Sequence, residues 1–200
     1  MARWGSEKRA EVRARILEAA RDEFAALGFE GTTMRDVAKA SGIATGTLFN
    51  YFDDKTELLH AALADRLDSI SRACIDTMPP EGSAFDTLAE HVAGCFFDYY
   101  MGRPALSRAL LERSLFASGP AAERFRQQVE SLGAVLVERA TDLQRRGQLS
   151  PNASPERVVL AFFSHYYFVL QMGLSRDLTS DEMRAMIGRL ATQLLEGVRR

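Results

Sequence analysis

Apolar residues recur at three- and four-residue spacing along almost the whole chain, and no stretch of useful length alternates between apolar and polar positions. This spacing places the apolar side chains on one face of an α-helix. Glycine, proline, serine or paired aspartates interrupt the periodic segments, as is typical of turns. The pattern therefore predicts an all-α protein of about nine helices.

Several of the predicted helices begin with residues that can cap a helix N-terminus. Three pairs of side chains have the spacing of a capping box: Thr33 with Asp36, Ser83 with Asp86, and Thr179 with Glu182. Ser154 can cap a helix that has Pro155 at its first position, where the missing N–H costs nothing. Pro104 and Pro120 fit the same first position, so these residues predict where helices start.

The N-terminal quarter of the chain predicts a helix-turn-helix. An apolar stripe over residues 8–27 predicts a first helix, which Gly28 is suited to end. Residues 32–52 then predict two short helices joined by a tight turn at Ser41-Gly42. Two helices joined by a short glycine-containing turn are typical of this motif, whose second helix enters the major groove of DNA.

The charge balance changes this picture only in part. The net charge is −2, which is unusual for a protein that neutralises phosphates. Five basic residues against two acidic ones nevertheless lie within residues 1–16, and these are Arg3, Lys8, Arg9, Arg13 and Arg15. Such an arm can follow a phosphate backbone or enter a minor groove. The alternative is a solvated helix start without a partner.

The segment from residue 10 to residue 60 resembles the TetR family of bacterial transcriptional regulators. The motifs that carry the resemblance are Gly28-Phe29, Gly31-Thr32-Thr33, GTLFNYF over residues 46–52, and DKTELL over residues 54–59. The resemblance implies a three-helix DNA-binding domain over residues 1–54. It also implies a long fourth helix leading into a C-terminal helical lobe over residues 55–200, which binds an effector and dimerises.

The resemblance assigns DNA contacts to eight positions: Thr33, Arg35, Thr45, Gly46, Thr47, Asn50, Tyr51 and Lys55. Hydroxyl and amide groups in the second helix are suited to base edges, whereas the phenol and the ammonium are suited to phosphates. The chain departs from the family pattern at Ala44, Thr45 and Phe49, where the family often has Ser, Lys and Tyr. These changes predict a cap that is weaker or moves to Thr45, and fewer phosphate contacts.

Ten of the 18 aromatic residues fall in two short C-terminal segments. The resemblance implies an effector pocket lined by Phe96, Tyr100, Met101, Phe116, Phe163, Tyr167 and Met172. An aromatic and methionine-rich lining suits a flat or lipophilic ligand. The alternative is that these residues simply fill the core.

The resemblance also implies a four-helix dimer interface built from residues 155–174 and 181–198. The apolar stripe of the last helix that would form it is Met183, Met186, Ile187, Leu190, Leu194 and Val198. Plain core packing is the alternative for this stripe.

Other chemistry is sparse. Cys74 and Cys95 form no CxxC pattern, and the charged N-terminus is unlike a signal peptide, so we expect reduced thiols in the cytoplasm. His91 and Cys95 share a helix face, but no third ligand is apparent, and we expect no metal. Residues 158–175 lack Asp, Glu, Lys and Arg but contain polar positions, which favours a buried helix and no membrane partner. Neither a catalytic set nor a cofactor motif is apparent, and we expect no enzyme and no cofactor.

Taken with the resemblance, these features predict a homodimeric regulator that binds palindromic double-stranded operator DNA. We expect a repressor that a small lipophilic or aromatic ligand releases from DNA, with an activator as the alternative. A second hypothesis is a small-molecule-binding protein whose helix-turn-helix does not bind DNA.

Overall fold

The computed structural model describes residues 2–114 and 119–196, so Phe116 and Val198 lie outside the described residues. Within those two ranges it contains only α-helices, which confirms the predicted all-α class. The nine helices are α1 Ala2–Gly31, α2 Met34–Ala40, α3 Thr45–Leu48, α4 Lys55–Asp76, α5 Phe85–Gly102, α6 Pro104–Ser114, α7 Pro120–Arg145, α8 Pro155–Arg176 and α9 Ser180–Glu196.

The chain forms two compact units. The first comprises the described residues up to Leu67 together with those of 105–125, and the second comprises those of 68–104 and from 126 onward. The boundaries after residues 67 and 125 fall inside α4 and α7, so each of these long helices contributes residues to both units. A functional boundary after residue 54 stays a prediction.

The first unit is built around α1. This helix begins earlier than the predicted residue 8. Gly28, which was predicted to end it, interrupts it with a φ of 73° that glycine adopts without strain, and helical residues follow as far as Gly31. The side chains of Ile16, Phe24 and Leu48 are fully buried there. Phe29, directly after the interruption, stacks on Phe24 with ring centroids 5.7 Å apart. The interruption therefore turns the chain back onto the core.

The helix starts test the capping predictions. Reciprocal hydrogen bonds confirm two capping boxes, Thr33 with Asp36 and Thr179 with Glu182. Ser154 accepts a hydrogen bond from the amide of Arg157, which confirms its capping role. The Ser83 prediction is wrong, because α5 begins one residue later and Ala84 occupies the cap position, so the Asp86 carboxylate accepts from the Thr87 amide instead.

In the second unit, α5, α8 and α9 pack together, with α5 and α9 in the largest contact. Gly188 on α9 leaves room for the Glu90 side chain of α5, because a Cβ atom at Gly188 would overlap the Glu90 carboxylate in its present position. One face of α8 is buried, as predicted, but the other exposes Leu160 and Phe168 to 67% and 61%. By length and composition alone, α8 is long and apolar enough to cross a membrane. In this structure one face of α8 packs inside the second unit and the other face is exposed.

Candidate functional site

The helix-turn-helix forms as predicted from α2, the turn at Ser41-Gly42, and α3. Gly42 has a φ of 70°, which the tight turn requires. The amide of Ile43 donates to the Ala38 carbonyl at 3.0 Å and closes the turn. Leu48 and Phe52 are almost completely buried. These anchors hold the second helix of the motif on the core of the first unit.

The opposite side of this segment faces solvent. Gly46 and Asn50 are exposed, and Thr45, Thr47 and Tyr51 are partly exposed. All five are therefore accessible on the surface where the sequence predicts DNA contacts. The contacts themselves stay predictions.

The start of α3 has a weak cap, as its sequence predicts. Ala44 occupies the cap position, and its side chain has no atom that can accept a hydrogen bond from the helix amides. Phe49, at the other end of this short helix, is 49% exposed. An exposed phenyl ring can contact a thymine methyl group, a role that the sequence analysis missed because it treated Phe49 only as a lost phenol.

Two arginines of α1 lie against the aromatic residues that follow α3. The guanidinium of Arg9 lies 5.6 Å from the centre of the Tyr51 ring, and that of Arg13 lies 5.4 Å from the Phe52 ring. Contacts of this kind are cation–π interactions. They concentrate positive charge beside the recognition segment, even though the whole chain is slightly acidic.

Thr33 plays a structural part that limits its predicted contact with phosphate. Its amide and its hydroxyl both donate to the Asp36 carboxylate, at 3.0 and 2.6 Å. These hydrogen bonds from Thr33 lower the pKa of Asp36. A carboxylate thus already occupies the donors that a phosphate would use at Thr33, whereas the neighbouring Arg35 side chain is exposed.

Lys55 also differs from the prediction that it is placed to hold phosphate. Its ammonium donates to the carbonyl oxygens of Phe29 and Thr32, at 2.7 and 2.9 Å, and lies 4.3 Å from the centre of the Phe29 ring. Two of its three N–H groups are therefore engaged inside the first unit. The structure gives Lys55 the role of tying the start of α4 to the last turn of α1 and to the connection that follows it.

The aromatic residues of the second unit pack on one another. The rings of Phe97 and Tyr166 stack at 5.2 Å, and Phe162 contacts Phe163 at 5.3 Å. Among the predicted effector residues, Phe96 and Tyr100 are buried, and the others that the structure describes, Met101, Phe163, Tyr167 and Met172, are partly exposed. Burial raises the pKa of Tyr100 above its usual range, so this phenol stays neutral and can donate a hydrogen bond.

Two concave regions open at the surface of the second unit. One, of about 420 Å³, is lined by Ala84, Phe85, Leu143, Gly147, Gln148, Leu149 and Leu195. The other, of about 570 Å³, is lined by Glu90, Ala185, Gly188, Arg189, Thr192, Gln193 and Glu196. Of the predicted effector residues that the structure describes, none lines either region. The structure therefore leaves both alternatives for these residues, pocket and core, as predictions.

The predicted dimer residues of α9 divide between two faces. Met183 and Ile187 are buried inside the second unit, which is the core alternative. Met186, Leu190 and Leu194 are spaced four residues apart along another face of α9, and all three are partly exposed. Only the second face has surface to offer a partner.

Cys74 comes to lie beside His91 and Cys95, although the sequence analysis found no third ligand for that pair. The two sulfurs and one ring nitrogen of His91 all lie within 4.8 Å of one another. Cys74 belongs to α4 and the other two to α5. The sequence spacing does not predict this cluster, because the distance between Cys74 and the two residues of α5 depends on how α4 and α5 pack.

Comparison with known proteins agrees with the geometry of the first unit. Residues 16–62 match the family model described as bacterial regulatory proteins, tetR family. The HTH-type transcriptional regulator UidR of Escherichia coli K12 is 27% identical over 188 residues, covering 90% of this chain and 93% of that protein.

Solved structures share the fold along most of the chain. The Thermus thermophilus transcriptional repressor FadR, in complex with lauroyl-CoA, superposes with a TM-score of 0.70 at 23% identity, covering 94% of this chain and 96% of that one. RolR in complex with resorcinol superposes with a TM-score of 0.68 at 20% identity, covering 96% and 94%. With the family match and the helix-turn-helix on its buried anchors, the conclusion is that residues 16–62 of this chain are a helix-turn-helix segment of the TetR family of bacterial regulatory proteins.

Proposed function

We propose that the chain is a homodimeric transcriptional repressor that binds a palindromic operator and leaves it when a small lipophilic or aromatic molecule binds. The observation that carries this proposal is the recognition segment. Its apolar anchors are buried, its polar edge is exposed, and two guanidinium groups lie beside it. It acts by binding alone, without a cofactor or catalysis, in the cytoplasm and away from membranes.

The chemistry of the recognition segment suits a major groove. Gly46 has no Cβ atom and lets the start of α3 approach DNA closely, while the exposed Asn50 amide can both donate to and accept from a base edge. Arg9 and Arg13 supply the charge that phosphates require. In a twofold dimer the two segments would read half-sites about 34–36 Å apart.

The composition of the second unit supports an organic effector. Its partly exposed Met101, Phe163, Tyr167 and Met172 offer polarisable and aromatic contacts. FadR of Thermus thermophilus and RolR, which share the fold, are described with lauroyl-CoA and resorcinol, a lipophilic and an aromatic ligand. The proposal therefore places effector binding in this unit, in a cavity that opens between the aromatic side chains when the ligand enters.

The proposal is tested by selecting binding sites from random duplex DNA and measuring the affinity of variants for the selected site. Asn50→Ala should weaken specific binding about tenfold while leaving non-specific binding unchanged, because a base contact is worth about 1–3 kcal/mol. Arg9→Ala should weaken binding to all sequences and lower the slope of log K against log salt by about one. Asn152→Ala, an exposed asparagine of the second unit, is the matched control.

Lys55 is unsuited to this test, because its loss would disturb the fold as well as any phosphate contact. Failure to enrich a palindromic sequence, or equal binding by Asn50→Ala and the control, would contradict the proposal. That result would favour the second hypothesis, a small-molecule-binding protein whose helix-turn-helix does not bind DNA.

A further inference from the structure

Three side chains that bind soft metals meet in the second unit. Cys74 lies near the end of α4, and His91 and Cys95 lie one turn apart on α5. The two Sγ atoms and one ring nitrogen of His91 lie within 4.8 Å of one another, and His91 Nε2 is 3.8 Å from Cys95 Sγ. The chain has two cysteines and three histidines in total, so this cluster gathers both cysteines with one histidine.

We propose that Cys74, His91 and Cys95 form a binding site for a thiophilic d¹⁰ metal ion, Zn²⁺ or Cu⁺. Thiolate and imidazole are the ligands that these ions prefer. The inference is independent of the proposed function, because it concerns a metal rather than an organic effector and needs no DNA.

The separation of Cys95 Sγ from His91 Nε2 fits such a site, and the other two separations are at most 4.8 Å. Zn–S bonds of about 2.3 Å and Zn–N bonds of about 2.0–2.1 Å separate the S and N ligands of a tetrahedral ion by about 3.6 Å. Two sulfurs on one ion are separated by about 3.8 Å by the same geometry. The observed separation of 3.8 Å between Cys95 Sγ and His91 Nε2 differs from the ideal by a few tenths of an ångström. Side-chain rotations therefore suffice to bring the three atoms around one ion.

The coordinating nitrogen is already held in place. His91 Nε2 lies 3.0 Å from the Cys74 carbonyl oxygen and 3.4 Å from Thr77 Oγ1, while the Thr77 hydroxyl itself donates to the Ala73 carbonyl. When Nε2 carries the proton it donates to the Cys74 carbonyl. Metal binding would replace this proton, which leaves to solvent, and would exchange this hydrogen bond for coordination by Nε2. The end of α4 thus orients the imidazole towards the cluster.

The surroundings of Cys95 include one permanent positive charge. The guanidinium of Arg184 acts on Cys95, which suits the thiolate that a metal ion would bind. Arg184 is held there by Asp98 and by the Gly94 carbonyl, and a Cβ atom at Gly94 would lie 2.8 Å from the guanidinium. Metal binding would displace the thiol protons of both cysteines to solvent, because the ligand is the thiolate.

Access to the cluster is one-sided. Cys74 is only 1% exposed, whereas Cys95 and His91 are partly exposed. An ion can therefore enter from the α5 side and complete its coordination with water, as in zinc sites that have three protein ligands. Cu⁺ would instead remain three-coordinate with the two thiolates and the imidazole.

The test uses the reduced, tag-free full chain, titrated anaerobically with Co²⁺ as the spectroscopic probe and then with Zn²⁺ or Cu⁺ as competitors. We expect one equivalent per chain, a thiolate-to-cobalt charge-transfer band, and displacement by the preferred ion, which distinguishes Zn²⁺ from Cu⁺. Cys95→Ser and His91→Gln should each weaken binding by about 100-fold or more, since loss of even an outer-shell partner costs about 10–100-fold.

His165→Gln is the matched control, because His165 is a partly exposed histidine of the same unit on α8. Cys74→Ala, which is smaller and apolar, accompanies Cys74→Ser so that a folding defect from a buried hydroxyl is recognised by circular dichroism. Absence of a thiolate band, or an affinity for Co²⁺ that Cys95→Ser and His91→Gln leave unchanged, would overturn the proposal.

Discussion

At the scale of single residues, several charged side chains of the first unit act as structural ties. Lys55 donates to the carbonyls of Phe29, at the end of α1, and of Thr32, which follows it. Arg113 lies 4.1 Å from the Phe29 ring and pairs with Glu30 at 2.5 Å. Thr32, fully buried, donates to the Gly28 carbonyl at 2.7 Å. These contacts fix the chain direction just before α2 and therefore position the recognition module.

Lys55→Met tests this role. The substitution keeps most of the side-chain volume but removes the ammonium, leaving the Phe29 and Thr32 carbonyls without that donor. A hydrogen bond from a charged donor contributes about 1.5–3 kcal/mol. We expect the free energy of unfolding in urea, measured without DNA, to fall by about 2 kcal/mol.

Lys39→Met, at an exposed lysine of α2, is the control and should change the stability by less than about 0.5 kcal/mol. Equal stability of the two variants would show that the contacts of Lys55 are not structural, and would return this residue to its predicted role at phosphate.

At the scale of helices, local signals explain most of the boundaries. The box of Thr33 with Asp36, the box of Thr179 with Glu182, and the prolines at the starts of α6, α7 and α8 all lie within one turn of the helix that they begin. Ser83 failed because a shift of one residue moves a cap out of position. Capping signals identify the turn reliably and the exact first residue less so.

The outer faces of α8 and α9 lead to a prediction about assembly. Leu160 and Phe168 on α8 are strongly exposed, and Met186 and Leu190 on α9 are partly so. Exposed apolar surface of this kind is typical of an interface. If these faces pair in a twofold dimer, Leu160→Glu should raise the dimer dissociation constant at least about 100-fold, because it places an unpaired charge in an apolar contact.

Sedimentation equilibrium of the wild-type chain and the variants checks this expectation. Leu27→Glu, at a leucine of α1 that is 54% exposed, is the matched control and should leave the dimer intact. A monomeric wild-type chain, or an unchanged dimer in Leu160→Glu, would contradict the proposed interface.

At the scale of the whole molecule, α4 is the element that belongs to both compact units. It begins at Lys55, directly after the recognition module, and ends at Asp76 in the second unit. We expect effector binding and DNA binding to be coupled through this helix. A coupling free energy of about 1–3 kcal/mol corresponds to a change of about 5–150-fold in affinity, equal for both ligands.

Titration calorimetry checks this reciprocity with acyl-CoA thioesters and phenols that raise the melting temperature of the chain. A compound that weakens DNA binding by a given factor should itself bind more weakly, by the same factor, to the DNA complex. A compound with the same dissociation constant in the presence and absence of DNA would contradict the coupling.

The recognition module follows from the sequence because its interactions are local. The Ser41-Gly42 turn and the spacing of Val37, Leu48 and Phe52 lie within about twenty residues, and the backbone preferences of glycine and the helical period fix their arrangement. The family motifs occupy the same stretch. For this reason fold class, module and family could all be predicted before the structure.

Which distant side chains meet follows from the packing of the helices. This packing engaged Lys55 with carbonyls 23 and 26 residues away, brought Arg9 to Tyr51, and placed Cys74 beside His91 and Cys95. It also divided α9 into a buried face and a partly exposed one. Such contacts depend on how helices pack rather than on their periodicity, because many packings satisfy the same apolar pattern and only one of them sets the distances.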